Sequence, residues 1–224
     1  MKKYNRNITV IIYLLKKLHK HACKKQNELY QNLSRNDAYL EDCRITAFGL
    51  LRTILFCSIN DAHNLKKTII DKKFLTIKTE LNESFPEQFL IIALENYPIY
   101  NYIIRFQSIV ETSTRKFLSI AEFGQFSIEL NDTRRDAMKI FKAWRNTIHN
   151  NGRVEKEEKY NYRGKKIQIQ TDEDFEFEFW TLYRISFDLI DVLFEFSKKS
   201  LTANSKLLID SQIKTNRNIS CKAS

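Results

Sequence analysis

Residues 132–150 read DTRRDAMKIFKAWRNTIHN, and this stretch decides the fold class. Its apolar residues recur at steps of three and four, the spacing that places side chains on one face of an α-helix. They are Ala137, Ile140, Phe141, Trp144 and Ile148. Asn131, Asp132 or Thr133 can cap the start of this helix by accepting a hydrogen bond from a free amide. Residues 150–152, Asn-Asn-Gly, are expected to end it, because both residue types tolerate a left-handed backbone.

The same spacing predicts further helices on both sides of this stretch. They cover residues 8–33, residues 41–58 up to a stop at Asn60–Asp61, a weaker helix or irregular crossing at 69–81, a short helix from Pro86 to Leu94, a long helix from Pro98 to Gly124, and a last helix from about 174 to 199. Residues 160–162 and 167–169 instead alternate with period two around Arg163-Gly164, which predicts a β-hairpin at about 158–170. The predicted fold is therefore all-α: a helical bundle with a small β-hairpin inserted between the last two core helices.

The composition of the chain supports this fold class. Its 224 residues include only four glycines and two prolines, whereas a tightly turned all-β fold needs many more turn residues. We predict an N-terminal helical region at 1–97 with a basic first helix, a helical core at 98–200, and a polar, basic and mobile tail at 201–224.

The net charge of +10 is concentrated at the two ends of the chain. Residues 1–35 hold nine Lys and Arg against Glu28 alone, and 201–224 hold four against Asp210. A basic arm can attract a phosphate backbone or an anionic membrane surface, or it can simply keep the protein soluble. We find no signal peptide and no apolar run near the ~20 residues of a membrane span. We therefore expect a cytoplasmic protein without a membrane partner.

Several classes of chemistry lack their sequence patterns in this chain. The four cysteines include no Cys-x-x-Cys pair and no histidine is spaced to complete a zinc site, so we expect reduced thiols and no metal. A Gly-rich phosphate loop, a Ser-His-Asp arrangement and a His-Glu-x-x-His pattern are also missing. Nucleotide hydrolases and zinc peptidases are therefore poor candidates, and we predict no cofactor.

Arg145 and His149 form the pair that can carry chemistry. Residues four apart lie on the same face of a helix. At about 100° per residue, Arg145 falls near 80° and His149 near 120° from Ala137, so both flank the apolar stripe. A histidine with a pKa near neutrality can take the proton from a ribose 2′-hydroxyl, and an arginine can stabilise the charge on the phosphate. This pairing suits RNA cleavage without a metal.

The string Arg145-Asn146-Thr147-Ile148-His149-Asn150 resembles the signature of the HEPN superfamily, small helical domains of prokaryotic toxin–antitoxin and phage-defence systems. The family pattern is an arginine, a polar residue, a short spacer and a histidine. The resemblance covers about 98–200. Here the spacer has three residues, whereas the family usually has four to six, so both side chains stay on one helical face.

The resemblance implies a metal-independent endoribonuclease whose composite site forms where two copies meet. The catalytic residues would be Arg145, His149 and Asn146. Arg134, Lys142 and Asn150 are the predicted substrate-binding residues. The implied partners are RNA, a second copy of the chain, and an antitoxin or another defence-system protein.

Other interpretations of these residues remain open. The domain can be a non-catalytic HEPN-like protein that binds RNA or a partner protein, and Arg145 can be a structural residue paired with a carboxylate on a neighbouring helix. We interpret Glu111 and Arg115 as a surface ion pair. No partner at metal-ligand spacing accompanies His19, His21 or His63, and we interpret them as surface residues. The hairpin carries Tyr160, Tyr162, Arg163, Lys165 and Lys166, which suit either an RNA-stacking platform or a plain soluble turn.

Overall fold

Five helices and one β-hairpin make up the computed structural model, which describes residues 2–32, 42–71, 87–119, 130–150, 157–169 and 178–203. The elements are α1 (Lys2–Asn32), α2 (Cys43–Ile70), α3 (Glu87–Ser119), α4 (Asp132–His149), β1 (Glu158–Tyr162), β2 (Lys165–Ile169) and α5 (Phe179–Ala203). The predicted fold class is confirmed: a mostly helical chain with a two-stranded antiparallel hairpin before its last helix.

One apolar core joins the described elements. Helix α1 packs on α2 and α5, α3 packs on α2, α4 and α5, and the hairpin meets α4 through β1. Buried side chains from all five helices and both strands belong to one continuous cluster. The predicted division at 97/98 falls inside α3, and α1 and α2 contribute residues such as Leu18 and Phe48 to that cluster.

Helix α2 runs past its predicted stop. Asn60 and Asp61 lie inside the helix, which continues to Ile70, so the predicted end at these residues is wrong. Ala62 and Ile69, beyond the stop, are buried in a second apolar cluster with Ile8 of α1. Burial of this face outweighs the weak preference of Asn and Asp for helix ends, since tertiary packing routinely overrides propensity.

Helix α3 contains Pro98, which was predicted to open a helix. The helix begins eleven residues earlier at Glu87, so that prediction is wrong. A proline inside a helix removes one backbone hydrogen bond and costs about 3 kcal/mol. Pro98 itself lines an apolar cavity with residues of α1 and α5, among them Leu14 and Leu182. Packing against α1 and α5 holds the segment helical despite the lost bond.

Helix α4 follows its sequence pattern closely. Asn131 caps it, with its side-chain oxygen accepting from the amide of Arg134 at 2.9 Å. The apolar stripe packs against α3, where the rings of Phe106 and Phe141 lie 5.5 Å apart. At the other end Asn150 is the cap, but its φ of −90° is not left-handed. Its amide instead donates to the carbonyls of Asn146 and Ile148.

The hairpin forms where the period-two pattern predicted it. Its strands pair antiparallel with Tyr160 opposite Ile167. Both turn residues have positive φ, 51° at Arg163 and 76° at Gly164, which matches the twist of a two-residue hairpin turn. The hairpin is fixed to the bundle by Tyr162, whose buried hydroxyl donates to Asp188 of α5 at 2.6 Å.

Several predicted features lie outside the described residues. They are the segment 72–81, the helix start at Pro86, the stop at Gly124, the end signal at 151–152, the start of the last helix at 174–177 and the tail at 204–224. Helix α5 extends to Ala203, four residues beyond its predicted end and into the segment assigned to the tail.

The start of α2 and the end of α5 meet at a buried ion pair. Asp42 and Arg44 are both fully buried, and the Arg44 Nη2 atom lies 2.6 Å from the Asp42 Oδ2 atom. Arg44 Nη1 also donates to the carbonyl oxygen of Ser200 at 3.3 Å. A buried charge is tolerated where it is paired and hydrogen-bonded, so this contact fixes how the two helix ends meet.

Among the described residues, α2 alone is long and apolar enough to cross a membrane, judged by length and composition only. Its buried residues pack in the bundle against α1 and α3. Core helices of soluble proteins pass the same test, so the expected lack of a membrane partner stays a prediction.

Candidate functional site

Arg145 and His149 lie on the last two turns of α4, on the flank of its apolar stripe. Arg145 is half-buried and His149 is exposed, whereas Phe141 and Trp144 beside them are buried. The wheel geometry that follows from the sequence is therefore seen in the structure. A substrate can reach the imidazole directly, and the guanidinium stands one turn before it.

Asn146 is held next to the pair by a hydrogen bond. Arg145 donates from Nη1 to the Asn146 Oδ1 atom at 3.1 Å. Across the described part of the chain, neither Arg145 nor His149 forms an ion pair with a carboxylate. The interpretation of Arg145 as one half of an ion pair with a neighbouring helix thus finds no partner among these residues.

An open groove runs beside the pair, between α4 and the first hairpin strand. We call it the α4–β1 groove, and it is lined by Lys139, Lys142, Ala143, Asn146, Glu157, Glu158, Lys159 and Tyr160. Its lining combines three lysines with two glutamates. The Tyr160 hydroxyl donates a hydrogen bond to the Glu158 carboxylate, so one of the two glutamates already has a partner. Asn146 belongs both to the groove and to the Arg145 contact, so the two features adjoin.

The predicted substrate-binding residues fall in different places. Lys142 lines the α4–β1 groove, and Asn150 is the C-terminal cap of α4. Arg134 lies eleven residues before Arg145, about 16 Å away along the helix axis. Its charge acts on Asp191 of α5 instead. The structure therefore brings five of the six predicted site residues together and leaves Arg134 at the opposite end of α4.

Six of the eight groove residues were not assigned to the site from sequence: Lys139, Ala143, Glu157, Glu158, Lys159 and Tyr160. Lys139 stands at the spacing i, i+3, i+7 with Lys142 and Asn146, so a helical wheel centred on Asn146 identifies it. Lys159 and Tyr160 reach the groove only because β1 packs on α4. No local pattern in the sequence predicts that contact.

His21 occupies a site that the sequence analysis missed. Its Nε2 atom lies 2.9 Å from the Asp191 Oδ1 atom, and its ring stacks on Phe187 with centroids 3.7 Å apart. Lys25 Nζ lies 3.6 Å from the same carboxylate oxygen. The interpretation of His21 as a surface residue is wrong, because its side chain is largely buried between α1 and α5. We call this contact region the α1–α5 seam.

The environment of Asp191 is strongly cationic. Burial acts to raise the pKa of the Asp191 carboxyl. The hydrogen bond from His21 and the charges of His21, Lys25 and Arg134 act to lower it, and the net result is a lowered pKa. The carboxylate form is thus favoured inside the seam.

His19, also interpreted as a surface residue, is partly buried and has a neighbour within α1. Its Nδ1 atom lies 3.7 Å from the sulfur of Cys23, one turn later in α1. Partial burial and the charge of Arg52 lower the pKa of His19. His63, by contrast, is exposed on α2, as predicted.

Asp188 binds the hairpin to α5 and makes Tyr162 a structural residue. Besides the Tyr162 hydroxyl, it accepts from Arg163 Nη2 at 2.7 Å. Burial raises the pKa of Tyr162 far above its ordinary value, and the Asp188 carboxylate adds to this rise. The phenol therefore stays protonated and donates to Asp188, which keeps β1 in place as a wall of the α4–β1 groove.

Metal ligands are not assembled among the residues that the structure describes: no group of three or more His, Cys, Asp and Glu side chains is placed to hold an ion. Cys23, Cys43 and Cys57 are free thiols. The surface ion pair predicted between Glu111 and Arg115 is confirmed.

No protein-family model, no curated protein and no solved structure matches this chain. The resemblance to the HEPN superfamily therefore stays a prediction, carried by the spacing of Arg145 and His149 and by the geometry around them.

Proposed function

We propose that this protein is a HEPN-like, metal-independent endoribonuclease that acts in the cytoplasm in phage defence or toxin–antitoxin-type growth control. The observation that carries the proposal is the end of α4, where exposed His149 and half-buried Arg145 share one face. Among the described residues no carboxylate binds either side chain. An exposed imidazole with an arginine one turn before it is accessible to a phosphate substrate.

The chemistry follows from the two side chains. A neutral His149 takes the proton of a ribose 2′-hydroxyl, and the 2′-oxygen then attacks the adjacent phosphorus. Arg145 stabilises the negative charge that gathers on the phosphoryl oxygens. The bond from phosphorus to the 5′-oxygen breaks, and a protonated histidine gives the leaving oxygen its proton. The products are a 2′,3′-cyclic phosphate and a 5′-hydroxyl end.

A second copy of the chain completes the site. One histidine cannot be base and acid in the same step, and a twofold axis supplies a second His149 and a second Arg145. The exposed position of His149 at the end of α4 leaves it accessible to such a copy. We therefore propose a homodimer with both pairs facing one scissile phosphate.

The α4–β1 groove provides a path for the RNA strand. Lys139, Lys142 and Lys159 can contact phosphates, and Tyr160 offers a ring for stacking. Asn146 links this path to Arg145 through their hydrogen bond. The groove thereby leads to the proposed reacting atoms.

A second candidate function is a non-catalytic HEPN-like protein that binds RNA or a partner protein, such as an antitoxin or another defence protein, through the same face. Glu157 and Glu158 favour it, because two carboxylates in the α4–β1 groove repel phosphates and suit a basic protein partner.

The test compares purified wild type with Arg145→Ala and His149→Ala on total RNA in the presence of a chelator. Each substitution should slow cleavage by about 10²–10⁴-fold, and the wild-type products should carry 2′,3′-cyclic phosphate ends. Matched controls are Arg135→Ala, an exposed arginine of the same helix, and His63→Ala, an exposed histidine of α2. Both controls should cleave like wild type.

Mixing wild type with the His149→Ala variant tests the dimer. A mixed pair holds only one histidine at the shared site, so an excess of the variant should suppress wild-type cleavage. Loss of cleavage on chelation would oppose a metal-independent mechanism. Unchanged cleavage in both variants, or intact RNA together with retained RNA or protein binding, would favour the second candidate function.

A further inference from the structure

Aromatic rings form a continuous series along the outside of α5. Trp180, Tyr183 and Phe187 follow one another at helical spacing, with ring centroids 6.1 Å apart at each step. The series ends on α1, where His21 stacks on Phe187. We call these four rings the aromatic ladder. Trp180 is 49% exposed although it is the largest apolar side chain of the series.

Helix α1 places another ring and a cation beside the ladder. Tyr13 is 51% exposed, and Lys17 Nζ lies 4.8 Å from the centre of its ring. Lys17 precedes His21 by one helical turn, so it lies on the same side of α1 as the histidine that stacks on Phe187. The exposed ring of α1 and the ladder of α5 therefore belong to one surface.

A row of lysines runs along the same side of α1. On a helical wheel Lys20 and Lys24 fall within about 60° of Lys17, and all three are exposed. The helix Lys2–Asn32 contains eight Lys and Arg residues and one acidic residue, Glu28. The nearby carboxylate of Asp191 already accepts from His21 and faces Lys25. This surface is thus strongly cationic, with aromatic rings beside the charges.

We propose that this face of α1 and α5 binds single-stranded RNA. Unpaired bases stack on Trp180 and Tyr13, and Lys17, Lys20 and Lys24 contact the phosphates between them. Stacking combined with a positive track is how proteins hold single strands without reading their sequence. Double-stranded RNA hides its base faces, so it cannot use the rings. Arg145 and His149 are not among its residues, and this binding does not rest on the proposed cleavage.

An anionic membrane surface has similar charge requirements but needs apolar side chains to insert. An interfacial helix buries its apolar face in the lipid. The apolar face of α1, including Leu14, Leu15 and Leu18, is already buried in the protein core. Only single rings remain among the lysines on the outer face, which favours bases over acyl chains as partners.

The test measures binding of a labelled single-stranded RNA of about 12 nucleotides to full-length protein by fluorescence anisotropy. All variants carry His149→Ala, so that cleavage cannot remove the probe. Trp180→Ala should weaken binding about tenfold or more. Phe56→Ala, which removes a ring from α2 that is 65% exposed, is the matched control and should bind like the parent.

Charge is tested in the same assay. Replacing Lys17, Lys20 and Lys24 by Gln should lower the slope of log affinity against log salt by about 2, whereas Arg at all three positions should preserve it. Trp180 fluorescence should be quenched by the strand, while buried Trp144 contributes a constant signal.

Equal RNA binding by the Trp180→Ala and Phe56→Ala variants would overturn the inference. So would duplex RNA that competes as well as single-stranded RNA. A third contrary result is a protein that does not bind RNA but binds phosphatidylserine vesicles tightly through the same lysines. The proposed ribonuclease function fails differently, through absence of cleavage in the wild type, so the two failures are distinguishable.

Discussion

The middle of α1 and the end of α4 contain the same local arrangement, a cation four residues before a histidine, yet the surroundings of the two histidines differ. In α1, Lys17 precedes His21, whose ring is stacked on Phe187 and bonded to Asp191. In α4, Arg145 precedes His149, which is exposed. Spacing alone does not separate the two pairs. The two pairs differ because of residues far away in the chain: α5 covers His21 and leaves His149 exposed.

The contrast explains why one pair is a candidate for chemistry and the other is a structural contact. His21 has its aromatic and acidic partners inside the fold, which fixes its orientation. His149 has its ring available, with a guanidinium one turn away. A histidine that is held by partners inside the fold contributes to stability, whereas an exposed histidine is accessible to a substrate.

The largest expected difference is in stability. His21→Ala removes a half-buried ring stack and a hydrogen bond to a carboxylate, and we expect it to lower the free energy of unfolding by about 2–3 kcal/mol. His149→Ala changes an exposed side chain and should stay within about 0.5 kcal/mol of wild type. Urea denaturation followed by circular dichroism measures both. Equal losses in the two variants would remove the distinction between the regions.

A second prediction separates stability from activity within α4. Asn131→Ala removes the side-chain cap of the helix that carries Arg145 and should cost about 1 kcal/mol of stability. The cap lies at the opposite end of α4 from His149, so RNA cleavage at a temperature where the variant is folded should not change. A cleavage rate that falls with this modest loss of stability would mean that the losses in Arg145→Ala and His149→Ala reflect folding.

The smallest expected effect is on acid stability. The pKa of Asp191 is lowered, since its contacts with His21, Lys25 and Arg134 outweigh its burial. Its contribution is therefore complete above the unfolded pKa of about 3.9 and is lost as the pH falls through the lower folded pKa. We expect wild type to lose more stability than Asp191→Asn between about pH 5 and acid pH. Parallel losses in the two proteins would contradict this role for Asp191.

Much of the fold could be predicted because its signals are local. The stripe of α4 and its Asn131 cap are set by neighbours within a few residues, and so is the hairpin turn at Arg163-Gly164. The errors occur where packing overrides a local signal. Asn60–Asp61 continues as helix because Ala62 and Ile69 are buried on α1, and Pro98 is accommodated between α1 and α5.

In the candidate site, too, some features could be predicted from local sequence and others depend on tertiary packing. Arg145, Asn146 and His149 share the end of one helix, so a wheel was enough to group them. The effect of the Arg134 charge on the pKa of Asp191 was not predictable, because it depends on how α4 lies on α5. The partners of His21 also lie 170 residues away in sequence, beyond the reach of any local pattern.

That separation of 170 residues between His21 and Asp191 has a consequence during synthesis. At about 5–20 residues per second, the ribosome needs roughly 10–30 s after making His21 before it makes Asp191. The interval between the synthesis of Arg44 and that of Ser200 is almost as long, because Ser200 is 156 residues further along the chain. The basic first helix thus spends this interval without the last helix that covers it, and a nascent-chain partner such as a chaperone would have access to its apolar face during that time.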